Sequence, residues 1–211
     1  KQIKIKNYKI IIPKFIQTFQ IIDRFEKINF DVYFASGLPS QNNKSGGGIY
    51  RVIGNFDNYK IKKIYKGNCH CIKKLNSKHF VFTDINRGII EIDKDGIIKN
   101  IIKLKNKPHG LTFDDKGNYI VCLSGSDTIL RISRKGKFLN EINIFESKNT
   151  NNSKAHMNDI FFHKGKLYIS MFSLSGDLEK EKFNGGVISL SLKNLKKKIF
   201  IKNLIMPHNI I

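Results

Sequence analysis

The sequence predicts an all-β protein built from repeated four-stranded antiparallel units, and three observations predict it. Alanine, the best helix former, occurs only twice in 211 residues, whereas the β-branched residue isoleucine occurs 35 times. Short apolar or alternating runs recur between Asp-Lys-Gly, Arg-Lys-Gly and His-Lys-Gly turns. Three segments also align with one another without gaps, which indicates an internal repeat.

The predicted strands follow these runs in chain order. The first unit is the loosest, with one strand before and one after a glycine-containing loop. A fourth strand is visible in each of two later units. The predicted strands are Asp31–Ala35, Gly48–Ile53, Phe80–Thr83, Ile89–Ile92, Ile97–Leu104, Tyr119–Leu123, Ile129–Ile132, Phe138–Ile144, Leu167–Met171 and Val187–Leu192.

The repeat predicts the architecture. The aligned segments Cys69–Thr83, Pro108–Cys122 and Met157–Met171 each contain an apolar strand, a hairpin turn and a strand that opens on an aromatic residue. A third strand follows each, and the first two third strands begin 40 residues apart. Four antiparallel strands in about 40 residues is the composition of a β-propeller blade. We therefore predict a single propeller domain over residues 1–211, with about four blades and the start of another at 206–211.

Particular stretches resemble known propellers. Pro108-His-Gly-Leu-Thr-Phe-Asp-Asp-Lys-Gly-Asn-Tyr-Ile-Val resembles a blade of NHL-type and gluconolactonase-like (senescence-marker-protein-like) propellers. The stretch from Phe80 to Asp93 is similar to the NHL repeat. The segment that begins at His156 and the pair Pro207-His208 also resemble a family of uncharacterised bacterial propeller-like proteins. Such folds usually have six blades, so the resemblance implies that this chain is an incomplete part of a six-bladed ring.

A shared register predicts the functional site. The residue ten positions before the aromatic that opens the second strand is His70, His109 or Asn158 in successive units, and Pro207-His208 repeats Pro108-His109. Equivalent positions of successive blades surround the central channel. We therefore predict a ligand-binding site at the channel mouth; no catalytic residue is assigned. Its predicted members are His70, His109, His156, Asn158, Asp159 and His208.

The chemistry of this ring has several interpretations. Imidazoles that converge on an axis can bind a metal or an anionic ligand, or act as acid and base. They can also cap the inner strands through side-chain hydrogen bonds. The gluconolactonase-like resemblance implies a divalent metal on Glu, Asn and Asp ligands and hydrolysis of a small sugar-acid lactone or ester.

The sequence matches that metal pattern only in part. Asn158-Asp159 matches the family's Asn-Asp pair, and Asn158 and His109 are the predicted ligands of Ca²⁺, Mg²⁺ or Zn²⁺. The family's glutamate has no counterpart, however, and His109 stands where Asn or Asp is expected. Both departures weigh against lactonase activity.

The alternative function is a protein-interaction scaffold, and a third is an RNA-binding propeller of the NHL type. The net charge of +21 favours a polyanionic partner. However, the 33 Lys, 35 Ile and 22 Asn share A/T-rich codons, so an AT-rich genome explains the lysines. Only five residues are Arg, and specific nucleic-acid binding is not predicted. The predicted partner is a small molecule or a protein at the propeller mouth.

Two further features bear on location. No run of 18 or more apolar residues is present, so no membrane-spanning segment is predicted. The three cysteines, Cys69, Cys71 and Cys122, are too few for a disulfide framework and odd in number. They favour a reducing compartment, and hence a cytoplasmic location.

Overall fold

The computed structural model describes residues 3–5, 8–10, 28–37, 46–145, 155–176, 184–208 and 210. The chain divides into two compact units. Unit 1 comprises residues 1–34 and 50–63, and unit 2 comprises residues 35–49 and 64–211. Every regular element in these described ranges is a β-strand. That part of the chain contains no helix with the length and apolar character of a membrane-spanning segment.

The strands are numbered in chain order. Their bounds are β1 Ile3–Ile5, β2 Tyr8–Ile10, β3 Phe30–Ser36, β4 Gly48–Gly54, β5 Tyr59–Tyr65, β6 Cys69–Lys74, β7 His79–Asp84, β8 Gly88–Asp93, β9 Ile98–Lys103, β10 Pro108–Phe113, β11 Tyr119–Leu123, β12 Thr128–Ile132, β13 Phe138–Asn143, β14 Met157–His163, β15 Lys166–Met171, β16 Gly185–Ser191 and β17 Lys197–Leu204.

The sheets are the predicted blades. Strands β6–β9, β10–β13 and β14–β17 form three four-stranded sheets, each paired in chain order. All the pairings in these sheets are antiparallel. The looser first unit is a three-stranded sheet, β3-β4-β5, and β1 and β2 form a hairpin that the sequence pattern does not predict. The all-β class and the four-stranded blade are thus confirmed.

The second strand of a blade is buried on both faces. In β11, Tyr119 and Val121 pack in a core cluster with the preceding blade, which contributes Val81. The alternate residues Ile120 and Cys122 pack in a second cluster with the following blade. Because both faces of the strand meet a neighbouring sheet, its sequence Tyr-Ile-Val-Cys-Leu is apolar throughout rather than alternating.

The fourth strand of each blade is largely exposed, and two of the three, β9 and β17, carry lysines. In β17 seven of the eight residues are exposed, and Lys197, Lys198 and Lys202 lie along it. In β9 and β13 most residues are exposed or half-buried. Lysines on an outer edge discourage pairing with another chain's strand. The lysines of β9 and β17 therefore lie on solvated outer strands.

Candidate functional site

The inner strands carry an irregularity where the predicted ring residues lie. The register against the second strand shifts between His70 and Lys73 in β6, between Pro108 and Leu111 in β10, and between Met157 and Asp159 in β14. A bulge turns a side chain away from its regular direction, and bulges are common beside functional sites. Strands β6, β10 and β14 therefore each carry a register shift next to the residue that the sequence register predicts for the site.

Five of the six predicted residues line one cavity in unit 2. Its volume is about 230 Å³. His156 is not among the residues that line it: its backbone is left-handed (φ 51°), and its ring stacks on Phe172 with centroids 4.6 Å apart. The lining consists of Ala35, Gly37, Cys69, His70, Cys71, His109, Asn158, Asp159 and His208. We call this space the axial cavity.

Aromatic rings form a continuous row beside the axial cavity. The rings of His70 and His109 are 3.9 Å apart between centroids, and His156 lies 6.0 Å from His109. Phe172 then links His156 to His208, whose ring centroid is 5.2 Å away. Phe172 belongs to this row, and the sequence register does not single it out. The signal available was its position directly after Met171, where the third aligned segment ends.

The ring residues are joined to one another by side-chain hydrogen bonds. His109 Nδ1 donates to the main-chain carbonyl of Asn158 at 2.7 Å. Asn158 Nδ2 in turn donates to the carbonyl of Pro207 at 3.3 Å, and Thr83 Oγ1 donates to the carbonyl of His109. Since a carbonyl can only accept, these bonds set the histidine tautomer and the amide orientation. His109 Nε2 and Asn158 Oδ1 are therefore hydrogen-bond acceptors.

A second set of bonds repeats with the same spacing. Cys71 directly follows His70, and its Sγ accepts the main-chain N–H of Leu111 at 3.1 Å, two residues after His109. Asp159 directly follows Asn158, and its Oδ2 accepts the N–H of Ile210 at 2.9 Å, two residues after His208. His208 thus occupies the position relative to Asn158 that His109 occupies relative to His70.

Gly110 permits the close approach of β10 and β14. A Cβ atom placed there would lie 2.6 Å from Asp159 Cα and 2.8 Å from Ile160 N. No side chain fits at such distances from main-chain atoms. The glycine of the Pro-His-Gly sequence is therefore required by the contact between consecutive blades.

Two polar atoms at the axial cavity are buried without a hydrogen-bond partner among the described residues: Asn158 Oδ1 and His70 Nε2. Asn158 is only 2% exposed. A buried polar atom without a partner costs on the order of 1–3 kcal/mol, so proteins rarely retain one without a reason. Both atoms belong to residues that line the same cavity.

Three buried imidazoles of the site, those of His70, His109 and His156, have lowered pKa values. Burial, and then the neighbouring His70, lower the pKa of His109 from 6.5 to about 3. Burial and the nearby His208 also lower the pKa of His70, against an opposing effect of Asp84. Burial is likewise the main cause that lowers the pKa of His156. These three rings therefore add little positive charge to the site.

The carboxylate of Asp159 is engaged by main-chain groups. Asp159 Oδ1 accepts the N–H of Ile160 at 2.8 Å, and Oδ2 accepts that of Ile210, so both carboxylate oxygens have partners. Within the described ranges, no group of three or more His, Cys, Asp or Glu side chains is placed to hold a metal ion. A metal on His109 and Asn158 stays a prediction.

Comparison with known proteins supports the fold. No protein-family model and no curated protein matches the chain. Among solved structures it is similar to a chain of a nidogen–laminin complex, with 19% identity, a TM-score of 0.56, and coverage of 84% of this chain and 64% of that one. A luciferin-regenerating enzyme matches with 18% identity, a TM-score of 0.52 and coverage of 84% and 62%.

A third match is a protein of unknown function from Bacteroides caccae, with 16% identity, a TM-score of 0.51 and coverage of 83% and 58%. The chain thus spans about six-tenths of the length of the solved structures that it matches. Identities this low are informative about architecture and not about activity. Sheet topology and these matches together identify the fold of this chain as that of a β-propeller with four-stranded blades.

Proposed function

We propose that the chain binds a small, uncharged, polyhydroxylated molecule in the axial cavity. The observation that carries this proposal is Asn158 Oδ1, a buried acceptor with no partner among the described residues. Its amide cannot turn to offer a donor without breaking the Asn158 Nδ2 bond to the Pro207 carbonyl. A ligand that fills this site must therefore donate a hydrogen bond.

The histidines reinforce the same preference. With Nδ1 of His109 donating to Asn158, the neutral ring presents Nε2 as an acceptor. His208 Nδ1 likewise donates to the carbonyl of Met206 at 2.9 Å, so the neutral form of this ring presents Nε2 as an acceptor. Three acceptors around one cavity favour a ligand with several hydroxyl groups. A carboxylate or phosphate group offers only hydrogen-bond acceptors, so it would be repelled by the acceptors of the cavity.

Binding is better supported than hydrolysis. A general base works best when its pKa lies near the working pH. The pKa of His109 is lowered to about 3, so its Nε2 accepts hydrogen bonds but is a weak base. Hydrolysis of a sugar-acid lactone, which the resemblance implies, therefore needs a base other than His109. The alternative of a protein-interaction scaffold gives no role to acceptors buried in a cavity.

Saturation-transfer NMR with sorbitol and myo-inositol tests the proposal. We expect transfer to at least one of the two polyols and none to hexa-O-methyl sorbitol, which has the same carbon skeleton without donors. Asn158→Leu should weaken binding at least tenfold. His208→Leu changes an exposed residue and should weaken binding several-fold.

The matched control is His163→Leu, because His163 is exposed at the far end of β14. It should bind the polyol as the unchanged protein does. The proposal is overturned if neither polyol receives saturation, if the methyl ether binds equally well, or if His208→Leu and His163→Leu behave alike.

A further inference from the structure

A second cavity, of about 450 Å³, lies between two consecutive blades of unit 2. One wall comes from the end of β9 and the residues after it, including Lys103, Leu104 and Lys105. The other comes from β12 and β13, whose paired residues Leu130 and Glu141 face it. It has no lining residue in common with the axial cavity. We call it the outer groove; its size is typical of small-molecule sites.

The floor of the outer groove is apolar. Leu104, Leu123 and Leu130 line it and are 8%, 4% and 6% exposed. Phe138 stands at its lip with 59% of its surface exposed. An aliphatic chain that lies on these residues removes apolar surface from water. The groove thus favours a ligand with an apolar portion.

One hydroxyl in the groove lacks a partner. Ser126 Oγ is buried and makes no hydrogen bond with the described residues. The neighbouring Thr128 Oγ1 is already engaged, with the Ser126 carbonyl at 3.1 Å and Asn143 Oδ1 at 3.0 Å. Ser126 Oγ is therefore a buried hydroxyl that remains available to a ligand in the outer groove.

The charged residues that line the groove indicate which polar group its ligand carries. Lys103 and Lys105 are exposed, and neither forms an ion pair within the described ranges. Both also line an adjoining cavity with Arg87, so cations surround this end of β9. Glu141 is the one acidic residue among those that line the groove. Two lysines against one glutamate suit a monoanion, whereas a phosphate dianion would be repelled by Glu141.

We propose that the outer groove binds an amphipathic monocarboxylate, such as a medium-chain fatty acid. Its carboxylate accepts a hydrogen bond from Ser126 Oγ and pairs with Lys103 or Lys105. Its alkyl chain lies on the three leucines and under Phe138. This site is independent of the polyol site proposed above, and either can exist without the other.

Decanoate is the probe, and the absence of tryptophan from the chain provides the reporter. Phe138→Trp places a single tryptophan at the lip, and its fluorescence should shift in a saturable way with decanoate. Calorimetry on the unchanged protein checks that the reporter did not create the site. Decanol, which lacks the charge, should bind at least tenfold more weakly. Added salt should weaken decanoate binding because the lysines are exposed.

Variants locate the contact. Lys103→Gln with Lys105→Gln should weaken decanoate binding at least tenfold and leave decanol binding unchanged. Ser126→Ala should weaken decanoate binding several-fold without loss of fold, since it removes an unpartnered hydroxyl. Lys116→Gln, in the exposed β10–β11 turn, is the matched control and should have no effect.

The proposal is overturned if decanoate does not bind, if decanol binds equally well, or if Lys116→Gln weakens binding as much as the double lysine change. Decyl phosphate that binds more tightly than decanoate would also contradict it. His208→Leu, which impairs the axial cavity, should leave decanoate binding unchanged. The two proposals therefore fail separately.

Discussion

His109 on β10 and Asn158 on β14 are joined across two blades, because the imidazole Nδ1 of His109 donates to the main-chain carbonyl of Asn158 at 2.7 Å. One ring nitrogen of His109 thus links its blade to the next. The other nitrogen, Nε2, belongs to a ring that lines the axial cavity. The same side chain stabilises the contact between blades and shapes the site.

Replacement of His109 should therefore cost stability as well as binding. His109→Ala removes a buried hydrogen bond and leaves a void, for which we expect a loss of about 2–4 kcal/mol. His109→Asn should recover part of that loss, because Asn158 makes the equivalent bond in the next blade. Urea unfolding of the three proteins measures this. Equal destabilisation by the Ala and Asn variants would contradict a role for the donor.

Gly110 should not tolerate a side chain. Gly110→Ala places a Cβ 2.6 Å from the Asp159 Cα, so β10 and β14 must separate. We expect a loss of about 1–3 kcal/mol in the free energy of unfolding, measured by urea denaturation. Gly165→Asn is the control, because that turn glycine has open space around it and Asn accepts its φ of +72°. A neutral Gly110→Ala would refute the close approach.

Stability should fall as the solution becomes acidic. The folded chain holds His109 with a pKa of about 3, against about 6.5 when unfolded. Below pH 6.5 the unfolded chain therefore binds a proton that the folded chain does not. The stabilisation is complete above pH 6.5 and is lost progressively down to about pH 3.

Between pH 7 and pH 5, His109 alone should account for a loss of about 2 kcal/mol. His70 and His156 add to it in the same direction, because burial lowers their pKa values too. Urea unfolding at a series of pH values measures the slope. His109→Asn should flatten it, whereas His163→Leu should not. An unchanged slope in His109→Asn would show that folding does not lower the pKa of His109.

Asp159 should hold the segment around Ile210. The Ile210 N–H donates to Asp159 Oδ2, so Asp159→Ala should raise the amide exchange rate of Ile210 at least several-fold. Hydrogen exchange followed by NMR measures this. Asp115→Ala, an exposed turn residue, is the comparison and should leave the rate unchanged. Equal exchange in both variants would mean that the bond is not made.

The three thiols should resist alkylation. Burial, and then Asp159, raise the pKa of Cys71 to about 12. Burial also raises the pKa of Cys69 and Cys122. Because the thiolate is the reactive form, iodoacetamide at pH 8 should label the native protein far more slowly than the urea-unfolded protein. Mass spectrometry counts the labels. Rapid native labelling would show that these sulfur atoms are accessible.

Repeated residues made much of the fold predictable. The aligned segments indicated the blades, and the run Tyr-Ile-Val-Cys-Leu of β11 directly indicated a buried strand. By contrast, β5 is Tyr-Lys-Ile-Lys-Lys-Ile-Tyr and was not predicted. Most of its residues are exposed, so it lacks the apolar run that marks a strand. It is a strand because it pairs with β4, which its own sequence does not indicate.

The position of a site residue in the repeat was predictable from the sequence. The orientation of its side chain was less predictable. Counting from the aromatic residues selected His70, His109 and Asn158, which line one cavity. His156 was placed beside them because it is close in sequence. Its left-handed backbone and its stacking on Phe172 follow from packing between blades, which sequence spacing does not reveal.

The bond from His109 to the next blade limits how such a site can change. A residue at this position must reach a neighbouring carbonyl with a donor and still offer a second atom to the cavity. The side chains of neutral histidine and of asparagine each carry both a donor group and an acceptor atom, and both residues occur here. Alteration of ligand preference is thus easiest at His208, whose ring is exposed, and most costly at His109. A library that diversifies the cavity for new ligands should keep His109 and Asn158 and vary the positions around them.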